Sequence, residues 1–166
     1  MFIEIRKIKG ADFQAVTRFF AEVADCGIDH VFHPHPFDVS TARRICDYEG
    51  PDWYAGCFLE DIEDPQSDLS DLMIRDTMVG YVILRGWESG YSIPSFGICV
   101  SPRYQGIGLG RALMDTAVAV ARLRKSPAIR LKVYPDNNGA IALYRSAGFE
   151  FGEELDHGQL VGYKKL

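Results

Sequence analysis

No stretch of this chain approaches the ~20 consecutive apolar residues that a helix needs to cross a bilayer. Its first apolar stretch is interrupted by Glu4, Arg6, Lys7 and Lys9. That is no secretory leader pattern, so a cytoplasmic protein with no membrane partner is predicted. Cysteine is scarce: Cys26, Cys46, Cys57 and Cys99, with no Cys-x-x-Cys spacing. A disulfide framework is therefore not expected, and all four are read as reduced core thiols. His30, His33, His35 and Asp38 lack the regular helical or hairpin spacing of zinc sites, so no metal is predicted. Positive charge does not dominate either. The net charge is −5, whereas a nucleic-acid-binding domain is usually basic throughout.

What is present is 166 residues at 47% hydrophobic content, without repeats or low-complexity tracts. That composition suits one domain over residues 1–166, large enough to bury a core without staples. Its charge is unevenly placed. From Ser101 to Lys132 there are seven basic residues against the single acid Asp115. A local basic field in an acidic chain suits a small anionic ligand.

That field coincides with the most informative stretch, Ser95 to Leu113. Ile98, Cys99 and Val100 read as a buried strand, which Pro102 ends. Gly106, Gly108 and Gly110 follow at alternate positions. A helical apolar stripe then runs through Leu109, Ala112, Leu113, Ala117, Val120 and Leu123. Glycines ahead of a helix N-terminus leave unpaired N–H groups facing a ligand, which suits a phosphate. A P-loop is excluded, because Gly110 is followed by Arg111-Ala112 rather than Lys-Ser/Thr. A dinucleotide fingerprint is excluded too, because Arg111 stands where its third glycine belongs.

The remaining pattern, Arg103-x-x-Gly106-x-Gly108, resembles the acetyl-coenzyme A signature of the GNAT N-acetyltransferase superfamily. Leu131 to Phe149 resembles the superfamily's next strand and helix, matching at Asn137, Ala140, Ile141, Leu143, Tyr144, Gly148 and Phe149. The resemblance covers residues 95–149. It implies an α/β (α+β) fold: a mixed, mostly antiparallel seven-stranded sheet, flanked by about four helices and splayed between its fourth and fifth strands.

The rest of the chain agrees in layout. Strands are predicted at Phe2–Ile8, Trp53–Leu59, Met78–Arg85, Tyr91–Val100, Ile129–Tyr134, Glu150–Gly152 and Val161–Leu166. One helix follows Asp12 as its cap, with Phe13, Val16, Phe19, Phe20 and Val23 on its apolar face. A second is capped by Asp38 or Ser40 and runs through Ile45 and Tyr48. The third ends near Lys125. The fourth spans Asn137–Ala147, with Gly148 as its left-handed cap. Glu60 to Asp76, seven acids against one arginine, is predicted to be a long, mobile, solvated connection.

The resemblance implies acetyl-CoA as co-substrate. Gln105, Gly106, Ile107, Gly108, Leu109, Gly110 and Arg111 would hold its pyrophosphate through their N–H groups, aided by the charge of Arg103. Ile98, Cys99 and Val100 would pair main chain with the pantetheine arm, and an N–H near Val100 would stabilise the oxyanion. Asn137 would contact the arm, and Tyr144 would protonate the leaving thiolate. The bland readings stand beside these: a tight turn at the glycines, a helix cap at Asn137, a core aromatic at Tyr144. Arg111 is a cation at a helix N-terminus, which is unfavourable without an anion nearby.

Many superfamily members place a carboxylate on the fourth strand as base, and Tyr91 to Gly97 has none. Glu88, His33, His35 and a water chain remain open for that role. His33, His35, Trp87 and Glu88 are the candidate acceptor-binding residues. The reaction implied is direct transfer to a primary amine of a small molecule, with no acyl-enzyme. The acidic remainder favours a cationic acceptor such as a polyamine or aminoglycoside. A protein N-terminal or lysine acetyltransferase is the alternative, as is a non-catalytic acyl-CoA sensor. Many superfamily members are dimers, which makes a homodimer admissible.

Overall fold

A computed structural model of the chain describes residues 2–60 and 76–166. The predicted acidic connection lies outside the described residues, apart from its two ends. One sheet carries β1 (Phe2–Lys7), β2 (Trp53–Glu60), β3 (Asp76–Arg85), β4 (Ser95–Val100), β5 (Ala128–Val133), β6 (Glu150–Asp156) and β7 (Gln159–Lys165). Their order across the sheet is β1-β2-β3-β4-β5-β7-β6. Every neighbouring pair is antiparallel except β4 and β5. Those two run parallel and share one register pair, Ser95 with Arg130. The seven-stranded, mostly antiparallel sheet and its splay are as the sequence predicts.

Side-chain alternation sends the sheet's apolar residues to two cores. On one face Val82, Leu84, Phe96, Ile129 and Leu131 pack under α3 (Leu109–Leu123) and α4 (Asn138–Ser146). On the other, Tyr54, Phe58, Tyr81, Ile83 and Cys99 pack under α1 (Phe13–Asp25) and α2 (Val39–Cys46). Val16, Phe19, Phe20 and Val23 of α1 are all buried there. Each such side chain stabilises the fold by about 1.5–3 kcal/mol before entropy is counted. Phe13, predicted on the same stripe, is only partly buried and lies under the Arg43 guanidinium, 3.5 Å from its ring centre.

Asp38 caps α2 by accepting from the Thr41 N–H at 2.7 Å. Asp12 does not cap α1. Its carboxylate is held by Arg6 at 2.7 and 2.8 Å and by the Lys9 N–H. A nearby guanidinium outcompetes the helix end for that carboxylate. The fourth strand begins at Ser95 rather than Tyr91. Gly86 and Gly90 adopt positive φ in the preceding turn, and Pro94 has no N–H for a ladder. Cys46, Cys57 and Cys99 are buried thiols, whereas Cys26, just past the end of α1, is exposed. The last two strands are longer than predicted and meet at a tight turn, where His157 and Gly158 both take positive φ.

Candidate active site

The segment joining β4 to α3 is an open cradle of backbone. Gly106 and Gly108 have φ of 77° and 96°, a region that favours glycine. A Cβ at either would meet nothing within 4 Å, so backbone conformation and not crowding selects glycine there. Gly108 is the N-cap of α3 and offers no side chain to the first turn. The N–H groups that open a helix are left for an outside acceptor in such a case. A Cβ at Gly110 would lie 3.4 Å from Leu143 of α4 and 3.8 Å from Ile98, at ordinary contact distance.

Arg103, Gln105 and Ile107 are exposed around this turn. Leu109 is buried and anchors α3 beneath it. The anion that Arg111 requires at a helix N-terminus is supplied in part by Asp115, 3.0 Å away and one turn on. Both partners of that pair are exposed, so it is worth only a few tenths of a kcal/mol. Gln105 Nε2 donates to the Val100 carbonyl at 3.0 Å, tying the loop to the end of β4.

The Ser101 N–H donates to Val79 of β3 at 2.9 Å. Backbone polar groups alternate along a strand, so Cys99 and Gly97 also address β3 while Ile98 and Val100 turn theirs toward β5. Beyond Ser95 and Arg130, β5 offers them no partner. Ile98 and Val100 therefore present a bare strand edge inside the sheet, beside the glycine cradle.

Tyr144 of α4 is 7% exposed and packs edge-on against Phe96, their ring centres 6.1 Å apart. Among the described residues no group hydrogen-bonds its hydroxyl. Burial first, and the nearby Cys99 thiol second, push this phenol well above its ordinary range, so it stays protonated. Asn137 is the N-cap of α4 and accepts from the Ala140 N–H at 3.2 Å. Cys99 turns its side chain to the α1 face, and burial pushes its thiol up to about 12. A thiol so rarely ionised is a poor nucleophile.

On the α1 face, next to the splay, lies a cavity of about 350 Å³. The segment Val31–Pro34 closes one side, and Ile83, Arg85, Gly97, Arg130 and Lys132 form the rest of its core. His33 is the one candidate base that lines it, with Nε2 3.4 Å from the Tyr134 hydroxyl. His35 is turned inward. Its Nδ1 sits 2.9 Å from the Pro36 carbonyl and its Nε2 2.9 Å from the Tyr81 hydroxyl. A carbonyl only accepts, so Nδ1 carries the proton and Nε2 accepts from Tyr81. Burial lowers its pKa to about 4, and Arg85 and Arg44 add to that.

Trp87 does not reach this cavity. Its indole N–H donates to Ser126 and its ring lies under Arg124, both at the far end of α3. Glu88 is likewise remote from the cradle. It accepts from the Tyr48 hydroxyl at 3.0 Å and lines a larger, adjoining cavity of about 630 Å³ with Asp52 and Tyr91, which shares Arg85, Ser95 and Arg130 with the first. Sequence reasoning missed Arg85, Arg130 and Lys132. The alternation of β5, with Ile129, Leu131 and Val133 on one face, was the signal that Arg130 and Lys132 share the other.

The family model described as "Acetyltransferase (GNAT) family" matches residues 32–149. The N-alpha-acetyltransferase RimI of Mycobacterium tuberculosis is 32% identical over 100 residues, covering 59% of this chain and 61% of that one. The L-amino acid N-acetyltransferase AaaT of Escherichia coli is 26% identical over 152 residues, covering 89% of this chain and 83% of that protein. The crystal structure of the PaiA N-acetyltransferase of Thermoplasma acidophilum, in complex with coenzyme A, superposes with a TM-score of 0.68 at 18% identity, over 100% of both chains. The chain spans only 33% to 61% of the length of the first curated relatives it matches. The paired motifs, the splayed sheet and the family match agree: this chain belongs to the GNAT acetyltransferase family.

Proposed function

We propose that this protein transfers an acetyl group from acetyl-CoA directly to the primary amine of a small molecule. The observation that carries the reading is the edge of Ile98 and Val100, left without a strand partner between β4 and β5 beside the Gly106–Gly108 cradle. Phosphates fit the cradle because its N–H groups are uncapped by side chains, and Arg103 and Arg111 stand near it. An amide-bearing arm fits the strand edge as an added strand does. Docked there, its last amides would displace or share the Gln105 contact with Val100.

The chemistry then follows from position. The neutral amine nitrogen attacks the acetyl carbonyl, the C–S bond breaks, and Tyr144 gives its proton to the departing sulfur. A phenol without a protein partner is free to make that bond. An N–H of the bare edge near Val100 faces the carbonyl oxygen as it gains charge. The amine's own proton leaves toward the α1-face cavity, where His33 or water receives it. Direct transfer is supported by the buried, protonated state of Cys99.

A protein N-terminus is the second reading, favoured by the RimI relative. The small-molecule reading rests on the AaaT relative, which is matched over far more of both chains. Thiol release from acetyl-CoA, measured across small amines and N-terminal peptides, separates them. Turnover confined to peptides would overturn the small-molecule acceptor. No turnover by a folded protein that binds acetyl-CoA would leave the non-catalytic sensor.

A further inference from the structure

From the cavity on the α1 face we infer that the acceptor is an amine carrying a carboxylate, and that Arg85 binds that carboxylate. The inference rests on the acetyltransferase reading of the adjoining splay. Among the described residues, every charged side chain lining this cavity is basic: Arg85, Arg130 and Lys132. They come from two strands and are brought to one face by the sheet. Arg85 ends β3 opposite Ser95, while Arg130 and Lys132 are alternate residues of β5 across the splay.

Their partners differ. Arg130 and Lys132 share one carboxylate, that of Asp156, at 2.9 and 2.8 Å. Arg130 also keeps a buried Nε with no hydrogen-bond partner. Arg85 gives one terminal nitrogen to the Pro34 carbonyl at 2.8 Å and has no carboxylate within ion-pair distance among the described residues. Arg130 and Lys132 thus share one anion, while Arg85, which also borders the adjoining cavity with Asp52 and Glu88, is ion-paired to neither. A half-buried guanidinium without a counter-charge is costly unless a ligand supplies one. The arginine fork matches a carboxylate in two-point fashion.

The placement suits an acceptor whose amine and carboxylate are close together. Gly97, whose missing side chain keeps Phe32 and Ile83 near, is two residues along β4 from Ser95, about 7 Å. A carboxylate at Arg85 therefore leaves the amine beside the middle of β4, next to the splay. The same cations disfavour an ammonium ion and so help present the neutral amine. A polycation, which the overall acidity of the sequence suggests, meets repulsion here.

The test is thiol release from acetyl-CoA with L-serine, L-methionine, L-phenylalanine and β-alanine, each compared with its primary amide and with the amine lacking the carboxyl group. The expected result is that any acid turned over exceeds its amide by ten- to a hundredfold in kcat/KM, mostly through KM. In Arg85→Gln that preference falls to within about threefold. Amides, polyamines or peptides used as well as or better than the acids would overturn the inference and leave the transferase standing. Silence toward all amines by a protein that binds acetyl-CoA would overturn both. Should Arg85→Gln fail to fold, through loss of its bond to Pro34, the comparison of acid with amide in the unaltered protein still decides.

Discussion

Ser95 and Arg130 form the one register pair that joins β4 to β5, and from there the two strands part. The Arg130 N–H donates to the Pro94 carbonyl at 3.0 Å, closing the sheet just before β4 begins. Beyond that point lie the strand edge of Ile98 and Val100 and the glycine cradle past it, with Tyr144 packed against Phe96 beside them.

Tyr144→Phe removes a hydroxyl that no described group hydrogen-bonds. Stability should change by less than about 0.5 kcal/mol, because no hydrogen bond within the protein is lost. Turnover should fall by about 10²- to 10⁴-fold, the usual worth of a positioned acid. Chemical denaturation and steady-state kinetics on one preparation read both, with acetyl-CoA affinity kept.

Gly108→Ala places a side chain at φ 96°, where the cost is backbone strain of about 1–3 kcal/mol, not a clash. The turn should relax away from its open geometry. We expect a lower Tm together with at least a tenfold loss of acetyl-CoA affinity, measured by calorimetry. Gly152→Ala, at a glycine of β6 where a Cβ also meets nothing, should leave affinity unchanged.

His35 should make stability depend on pH in a defined window. Its folded pKa, lowered by burial to about 4, lies below the ordinary 6.5, so between those values the unfolded chain binds more protons. Its contribution is intact above pH 6.5 and is lost as pH falls toward 4. At 1.36 kcal/mol per unit the loss is at most about 3 kcal/mol. Urea unfolding at stepped pH reads it, and His35→Gln should flatten that part of the profile.

Direct transfer predicts no acyl-enzyme. Intact-mass measurement of protein held with acetyl-CoA and no amine should show the unmodified mass, since burial pushes the Cys99 thiol up to about 12. A stoichiometric acetyl adduct that a later amine removes would contradict direct transfer.

Much of this was legible in the sequence where local rules act alone. The strand–glycine–helix run from Ile98, the Gly148 cap and the Asp38 cap appear as the residues require. Where two partners compete, the sequence does not say which wins: Asp12 is taken by Arg6 and not by its own helix. Trp87 looked available for binding because nothing in the sequence shows Ser126 and Arg124 meeting it. The acceptor cavity was the least legible part. Net charge summed along the chain suggested a cationic acceptor, whereas strand pairing collects Arg85, Arg130 and Lys132 from distant positions onto one face.

The cradle and the strand edge are proposed to hold acetyl-CoA. The most direct measurement is the Tm of the folded, cofactor-free protein with acetyl-CoA, with ATP and with NAD. At about 100 times its Kd, acetyl-CoA should add about 2.7 kcal/mol, a rise of roughly 5–10 °C for a domain of this size. ATP and NAD, which lack the amide-bearing arm that pairs with Ile98 and Val100, should produce little or no rise. A Tm unmoved by acetyl-CoA, or moved equally by all three, would contradict the account.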